Sequence, residues 1–495
     1  MSGFSAMVGN PPWDQVELND DEYFSKFHDY DANSRNTDKK KWIQELFNQL
    51  QAVEKEYFLN KTRLERTASY LKDSGSYPLV SSGKCNLYSL FSEHFTTVIH
   101  PHGNIGIIVP TGIATDLANA PFFRQMTAQK AVKSILAFDH RSPHFKNVTM
   151  QFCILSLGGG HHDGTFEVAT GIMDIREPWK ERAYTSSKEQ ISLVNPSTQT
   201  LPVFTDATHA DIVSQVYRSS VYWGEPDDEW GIQLRQGLFN MATDSELFHT
   251  AAELIELGYT AQSDGTYKNA AGDVALQLYE SKHFHQFDHR WMSDDDPDFD
   301  KGLDCEIDTQ YYIAEDEVNR RKLNPSFPTV VYRLIARNTD PQTFIATMLP
   351  KAGVGHSAGV FQSVVDKELL LPLLGVLNSR LFDFIVKSKS SGANVSFFIT
   401  KQLPLPPLEE FNQRINPKTG NLFRNDIAAI VNQLIPTTSV MANVFDLDEP
   451  TDWNDELRAA LKSQLDELVF DYYGISEKMR QYVYIQTMKS KIHAL

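Results

Sequence analysis

The chain has 495 residues, 41% hydrophobic and 11% aromatic, which is enough for two or three globular domains with apolar cores. Its formal net charge of −18 is opposite in sign to that of a simple DNA-binding protein, so any DNA-facing surface must be locally basic. Cys85, Cys153 and Cys305 lack the paired spacing of a zinc site or disulfide framework, and residues 1–30 lack a secretion-signal pattern. We therefore expect a cytoplasmic protein without a structural metal.

An apolar run at residues 1–9 predicts a strand that ends in Asn10-Pro11-Pro12-Trp13. Asn-Pro commonly starts a turn, so this tetrapeptide has an ordinary explanation as a strand-to-loop connection. It also resembles the catalytic motif of N6-adenine and N4-cytosine methyltransferases, in which Asn, Asp or Ser is followed by Pro-Pro and an aromatic residue.

The resemblance implies a site that binds the exocyclic amine of a base. The Asn10 side-chain oxygen and the Pro11 carbonyl would accept the two amine hydrogens, and Pro12 would stiffen the arm. Trp13 would stack on the base, which must first be flipped out of the duplex. S-adenosyl-L-methionine is the implied methyl donor, with Asn10 beside it.

Residues 14–80 are polar, and the apolar spacing at 39–71 predicts a helical insertion. Helices and strands then alternate. We predict a helix at 87–94, a helix at 121–126, and strands at 105–110, 131–138 and 152–157. This order indicates an α/β fold with a mostly parallel sheet and a reversed edge.

Together with the motif, residues 1–185 resemble the second half of a class I (Rossmann-like) methyltransferase domain. The resemblance places Tyr88 beside the cofactor and Phe145 against the second face of the flipped base. An ordinary core phenylalanine is the alternative for Phe145. We do not find the glycine-rich loop and the ribose-binding acid of the first half. The best later candidate, an apolar run at 344–349 followed by Gly353-Val354-Gly355, is a weak signal.

The stretch 190–330 is acidic, and its pattern predicts irregular structure without regular helices or strands. Its segment 293–308 carries eight carboxylates, for which we expect a solvated acidic loop. Three histidines (His283, His285 and His289) suggest a metal, but no fourth ligand has fixed spacing, and we expect none. The block Gln286–Trp291 instead resembles the recognition regions of large restriction-modification methylases.

Residues 331–402 carry eight Lys and Arg against four acids, a local charge of +4. Small polar loops at 337–339, 351–356 and 387–394 suit phosphate and base-edge contacts, although ordinary surface loops are the alternative. An apolar stretch at 369–386 is interrupted by polar residues, so it predicts a buried helix and no membrane span. The expected DNA-binding residues are Arg290, Arg337, Lys351, His356, Lys387, Lys389 and Asn394.

Taken together, the chain resembles the part of large restriction-modification or phage-defence N6-adenine DNA methylases, including the Type IIG and PglX-like groups, that runs from the catalytic motif to the C-terminus. This implies a catalytic half at 1–185, a mixed α/β target-recognition region at 186–407 and a C-terminal helical segment at 408–495. The implied activity is S-adenosylmethionine-dependent methylation of double-stranded DNA.

Three explanations for the missing first half stay open. The chain could be a truncated product, a subunit completed by a second chain, or a non-catalytic DNA-specificity module.

Overall fold

The computed structural model describes residues 3–81, 83–145, 150–158, 163–223, 229–296, 298–324, 328–337, 340–363, 367–389 and 394–493. The chain divides into two compact units, Met1–Ala210 and Asp211–Leu495. The domain boundaries at residues 185 and 407 stay predictions.

A mixed sheet forms the centre of the first unit. Its strands are β1 (Phe4–Gly9), β2 (Ile99–Pro110), β3 (Val132–Phe138), β4 (Phe152–Gly158), β5 (Thr165–Ile172) and β6 (Tyr184–Ser187). Their spatial order is β1-β2-β4-β3-β5-β6. Strands β1, β2, β3 and β5 run in one direction, while β4 is antiparallel between β2 and β3, and β6 is an antiparallel edge. The expected reversed edge is therefore only part of the pattern, because β4 folds back into the interior of the sheet.

Apolar runs in these strands account for the core of the first unit. Ile105, Ile107 and Val109 alternate along β2 and are each at most 4% exposed, as expected for a strand in a covered sheet. Its helices are α1 (Asp20–Phe24), α2 (Asn36–Gln49), α3 (Gln51–Asp73), α4 (Leu87–Val98), α5 (Gly112–Thr115), α6 (Ala120–Ala128) and α7 (Lys188–Val194), and α8 (Ala207–Arg218) spans the boundary between the units.

The predicted helical insertion consists of α1, α2 and α3, and it has an aromatic core of its own. Phe24, Phe47 and Tyr57 are buried there, with Trp42 packed against them. The Tyr57 hydroxyl donates to Asp20 Oδ1 at 2.7 Å. The insertion is therefore a small packed body and more than a solvated helix pair.

The second unit contains small, mostly antiparallel sheets, and several of their strands lie in 190–330, for which we predicted irregular structure. Its strands are β7 (Val221–Tyr222), β8 (Ile232–Gln236), β9 (Thr260–Ala261), β10 (Tyr267–Lys268), β11 (Val274–Tyr279), β12 (Tyr312–Ala314), β13 (Thr329–Arg333), β14 (Ala346–Leu349), β15 (Gly353–Val354), β16 (Ala358–Ser363) and β17 (Pro404–Leu405). The order β14-β13-β16-β8 forms one sheet, β12-β11-β10-β9 forms another in which β15 also pairs with β11, and β17 pairs with β7.

Most helices of the second unit come from the C-terminal part of its sequence, after residue 366. They are α9 (Ala251–Glu256), α10 (Glu315–Arg321), α11 (Lys367–Leu377), α12 (Arg380–Lys389), α13 (Phe397–Thr400), α14 (Leu408–Gln413), α15 (Phe423–Leu434), α16 (Ser439–Val444), α17 (Asp455–Tyr472) and α18 (Glu477–His493).

The apolar stretch 369–386 is two helices, α11 and α12, and the prediction of one helix was wrong. They meet at 62°. The break follows from Asn378, whose side-chain oxygen accepts from Ala346 N at 3.0 Å and whose amide donates to Ala346 O at 2.9 Å. Across the described residues no single helix is long and apolar enough to cross a membrane, although this bent pair passes the same test of length and composition.

Candidate functional site

Asn10 lies at the carboxyl end of β1, directly after the last paired residue. The parallel pairing of β1 with β2 ends at Gly9, because Pro11 and Pro12 have no backbone N–H to continue it. Asn10 and Pro12 are exposed and Pro11 is buried. Since β1, β2, β3 and β5 run in the same direction, their carboxyl ends lie at the same end of the sheet. Open α/β sheets bind ligands at this end.

The indole of Trp13 orients the Asn10 amide. Trp13 Nε1 donates to Asn10 Oδ1 at 3.1 Å and lies 3.4 Å from the Ile108 carbonyl. Because an indole N–H only donates, this bond fixes which end of the amide is the oxygen, and that oxygen keeps a second lone pair. Within the described parts of the chain, no group donates a hydrogen bond to the Pro11 carbonyl. The Asn10 side chain is thus exposed with a free lone pair on its oxygen, and the carbonyl of the buried Pro11 has no donor among the described residues.

The Trp13 and Phe145 rings are in contact with each other and leave no space for a base between them. Their ring centroids are 5.4 Å apart at 47°, and Trp13 also lies 5.8 Å from Phe152. A base sandwiched between two rings needs about 7 Å, which is twice the contact distance of carbon atoms. Phe145 therefore packs here as part of an aromatic cluster with Phe138 and Phe152. Residues 146–149 of its loop lie outside the described residues.

Tyr88 is held in a buried network. Its ring is 3% exposed, and its hydroxyl accepts from Asn119 Nδ2 at 3.2 Å. Asn119 also donates to the Gly112 carbonyl at 2.9 Å and accepts from Ser89 Oγ at 2.8 Å. Burial raises the pKa of the Tyr88 hydroxyl. This residue positions α4 against the loop after β2, and its hydroxyl is held by Asn119 inside the protein.

Among the described residues, neither sequence candidate for S-adenosylmethionine binding has the expected geometry. Glycine loops that bind the nucleoside part of a cofactor lead from a strand into a helix. The candidate Gly353-Val354-Gly355 instead joins β15 to β16, and Gly353 and Gly355 are buried. Neither it nor Tyr88 fits the expected cofactor role.

Arg290 is buried and does not face DNA. It is 0% exposed, and it donates to the carbonyls of Leu303 at 2.7 Å, Cys305 at 2.8 Å and Lys301 at 2.9 Å. The predicted acidic loop therefore wraps around this guanidinium.

Two more members of the Gln286–Trp291 block are fixed in the same way. His289 Nε2 lies 2.9 Å from Glu306 Oε2, both side chains being at most 1% exposed, and Asp288 pairs with Lys301. A solvated loop was thus wrong for this part of 293–308. In the described parts of the chain, no three His, Cys, Asp or Glu side chains form a group that could hold a metal.

Three of the predicted DNA-binding residues lie in or beside one part of the chain, residues 335–337 and 340–343. Arg337 and Asn394 are exposed, and Asn394 pairs with Ile335 as an isolated bridge. Lys387 Nζ lies 3.2 Å from both the Pro341 carbonyl and Asp383 Oδ2. Residues 338–339 and 390–393 of these loops lie outside the described residues.

The other basic residues are already engaged. Lys351 forms a 2.5 Å ion pair with Glu315, and His356 Nδ1 accepts from Met241 N at 3.3 Å. Lys389 lies 5.0 Å over the Tyr217 ring, and burial lowers the pKa of its ammonium to about 7.

Similarity to known proteins is found in structure and not in sequence. No protein-family model matches the chain, and no curated protein matches it significantly. Matching solved structures include the methyltransferase subunit of a type I restriction-modification system from Streptococcus thermophilus, at 13% identity and a TM-score of 0.21, covering 27% of this chain and 34% of that one.

Two further matches are DNA complexes. The Type IIL restriction-modification enzyme MmeI has 10% identity, a TM-score of 0.38 and coverage of 82% of this chain and 52% of that one. A nuclease-deletion mutant of the Type ISP enzyme LlaGI has 10% identity, a TM-score of 0.37 and coverage of 87% and 34%. The chain thus spans between a third and about half of these structures. Scores this low decide neither fold nor function, so the geometry around Asn10 carries the functional conclusion.

Proposed function

We propose that this chain is the base-binding half of a DNA N6-adenine methyltransferase, with a target-recognition region, in a restriction-modification or phage-defence system. S-adenosyl-L-methionine is the proposed methyl donor and double-stranded DNA the substrate. The observation that supports this most is the pair of adjacent acceptors, Asn10 Oδ1 and Pro11 O, at the carboxyl end of β1.

The chemistry requires two such acceptors. The lone pair of an adenine amine is delocalised into the ring, so the amine is a weak nucleophile. Accepting both of its hydrogens localises that lone pair on the nitrogen. Pro12 restricts the ψ of Pro11, which sets the direction of the Pro11 carbonyl, and the Trp13 indole orients the Asn10 amide, so both acceptors are held in place before the base binds. No general base with a shifted pKa is required.

We infer that the cofactor-binding half joins at the outer edge of β1. Among the described residues β1 pairs only with β2, and Phe4 and Val8 are 62% and 88% exposed. Strands of a parallel sheet are normally covered on both faces, and an open apolar edge invites a further strand. An additional α/β segment, in the same polypeptide or in a second chain, would cover this edge and supply the cofactor site.

The decisive test compares DNA from native host cells that carry the wild-type gene or the Asn10→Ala variant. Long-read sequencing should find N6-methyladenine at one recurrent sequence in the wild type and none there in Asn10→Ala. Asn33→Ala, an identical change at an exposed residue of the same unit, is the control and should leave methylation intact. Methylation that persists in Asn10→Ala at equal expression would refute the assignment.

A non-catalytic DNA-specificity module is the second candidate, because neither Tyr88 nor the Gly353-Val354-Gly355 segment has the geometry expected of a cofactor site. Titration calorimetry of the full chain with duplex DNA, combined with the methylation measurement in the native host, separates the two candidates. Duplex DNA binding without any methylation in the native host, with or without Asn10, would favour the module.

A further inference from the structure

A small polar pocket lies in the second unit, where the start of α12 meets α17 and α18. Its volume is about 290 Å³. That is slightly below the usual range for drug-sized ligands and ample for a single small anion. The side chains that matter are Gln286, Asp383, Arg380, Lys462, Asp466 and Thr487.

Both carboxylates of the pocket are already satisfied. Asp383 Oδ1 accepts from Thr343 N at 2.7 Å and Phe344 N at 2.8 Å, and its Oδ2 lies 3.2 Å from Lys387. Asp466 accepts from the backbone N of Arg380 at 2.6 Å and from its Nε at 3.2 Å. Both carboxylates therefore already have hydrogen-bond or ion-pair partners within the protein.

The Lys462 ammonium, by contrast, has no ion-pair partner in the part of the chain that the structure describes. Burial lowers its pKa to about 8, and the nearby Arg458 adds to this effect. Asp288 and Asp466 oppose the shift, but each is already paired, with Lys301 and Arg380 respectively. A partly desolvated cation without a counter-ion is costly, and an anion in the pocket would offset that cost.

Arg380 adds a second source of donors. Its Nη1 donates to Thr487 Oγ1 at 2.9 Å, and its Nη2 donates to no group among the described residues. A guanidinium held in place by a carboxylate is a preorganised donor for phosphate oxygens.

We propose that this pocket binds a phosphate group, with Lys462 and Arg380 as its cationic ligands. The phosphate comes either from a DNA backbone or from a free phosphate or nucleotide, and the two sources are separated below. The site does not depend on methyl transfer, so it stands even where the proposed function fails.

The first measurement is calorimetric titration of the full chain with inorganic phosphate at constant ionic strength, with chloride as the balancing salt. We expect saturable binding by the wild type and an affinity about tenfold weaker in Lys462→Gln, since one charge-assisted hydrogen bond is lost. Lys478→Gln, at an exposed lysine of the adjacent α18, should bind as the wild type does. Lys462→Met is a second variant that removes the charge and keeps most of the side-chain length.

Without phosphate, neither Lys462 variant should melt at a lower temperature, because each removes an uncompensated charge. Equal phosphate binding by wild type and both Lys462 variants, or no binding by the wild type, would overturn the proposal.

The second measurement is the salt dependence of binding to a random-sequence duplex. Loss of one phosphate contact lowers the slope of log K against log salt by about 0.9. Phosphate binding that depends on Lys462, together with a lower slope in Lys462→Gln, assigns the site to a DNA phosphate. The same dependence with an unchanged slope assigns it to a free phosphate or nucleotide.

Discussion

Replacing Arg290 by methionine separates a structural arginine from a DNA-binding one. The sequence predicts a DNA contact, whereas the structure buries the guanidinium completely. Its four acceptors are the carbonyls of Lys301, Leu303, Cys305 and, at 3.2 Å, Thr437. Methionine keeps the approximate length of the side chain and removes every donor.

The expected loss is large. A hydrogen bond to a charged group contributes about 1.5–3 kcal/mol, and a buried carbonyl left without a donor costs about 1–3 kcal/mol. These values do not add, because the four carbonyls share one guanidinium and part of the loop can rearrange. We therefore expect a net loss of about 3–5 kcal/mol, which corresponds to about 1 kcal/mol for each of the four carbonyls left without this donor.

The assay is urea unfolding of the full chain, combined with hydrogen exchange of the 299–306 backbone. With an m-value of about 2 kcal/mol per molar, the unfolding midpoint of the second unit should fall by roughly 1.5–2.5 M. Amides in 299–306 should exchange faster. Arg337→Met is the exposed control and should leave both measurements unchanged. An unchanged midpoint in Arg290→Met with loss of DNA affinity would mean that Arg290 faces DNA and that the structural assignment is wrong.

Two further predictions concern Trp13 and the buried histidines. Trp13→Phe keeps an aromatic ring at this position and removes the N–H that orients Asn10. Initial rates of methylation in the native system should fall about tenfold, while the DNA affinity measured by fluorescence anisotropy stays unchanged. An unchanged methylation rate would mean that Trp13 does not position Asn10. Burial lowers the pKa of His209 to about 4 and of His285 to about 3, so below pH 6.5 the unfolded chain binds protons that the folded chain does not. Stability should therefore fall on acidification, by about 2 kcal/mol per histidine at pH 5, and equal urea midpoints at pH 7 and pH 5 would contradict this.

The local elements of the first unit could be predicted because their apolar runs are continuous. Strands predicted at 105–110, 131–138 and 152–157 lie within β2, β3 and β4 or differ from them by one residue at an end, apart from the start of β2 at Ile99. The position of β4 between β2 and β3 could not be predicted, because strand order depends on contacts between distant segments. In the second unit, strands as short as β9 and β10 have too few residues to display a period of two.

The sequence predicts the residues of the candidate site but not their geometry. Asn10, Pro11 and Trp13 form a recognisable string, yet the bond from the indole to Asn10 depends on where Phe145 and Phe152 place the ring. The burial of Arg290 could not be predicted for a different reason. Its partners are backbone carbonyls, which carry no signature in the sequence.

The insertion of β4 has a consequence for synthesis of the chain. β2 ends at Pro110, and the strand that pairs with its second edge ends at Gly158. At a translation rate of about 5–20 residues per second, the ribosome needs roughly 2–10 s to make the intervening segment. Until β4 has been made, the second edge of β2 has no partner strand, and unpaired strand edges can associate with other chains. Slow translation before Gly158 would therefore delay the closing of the sheet around β2.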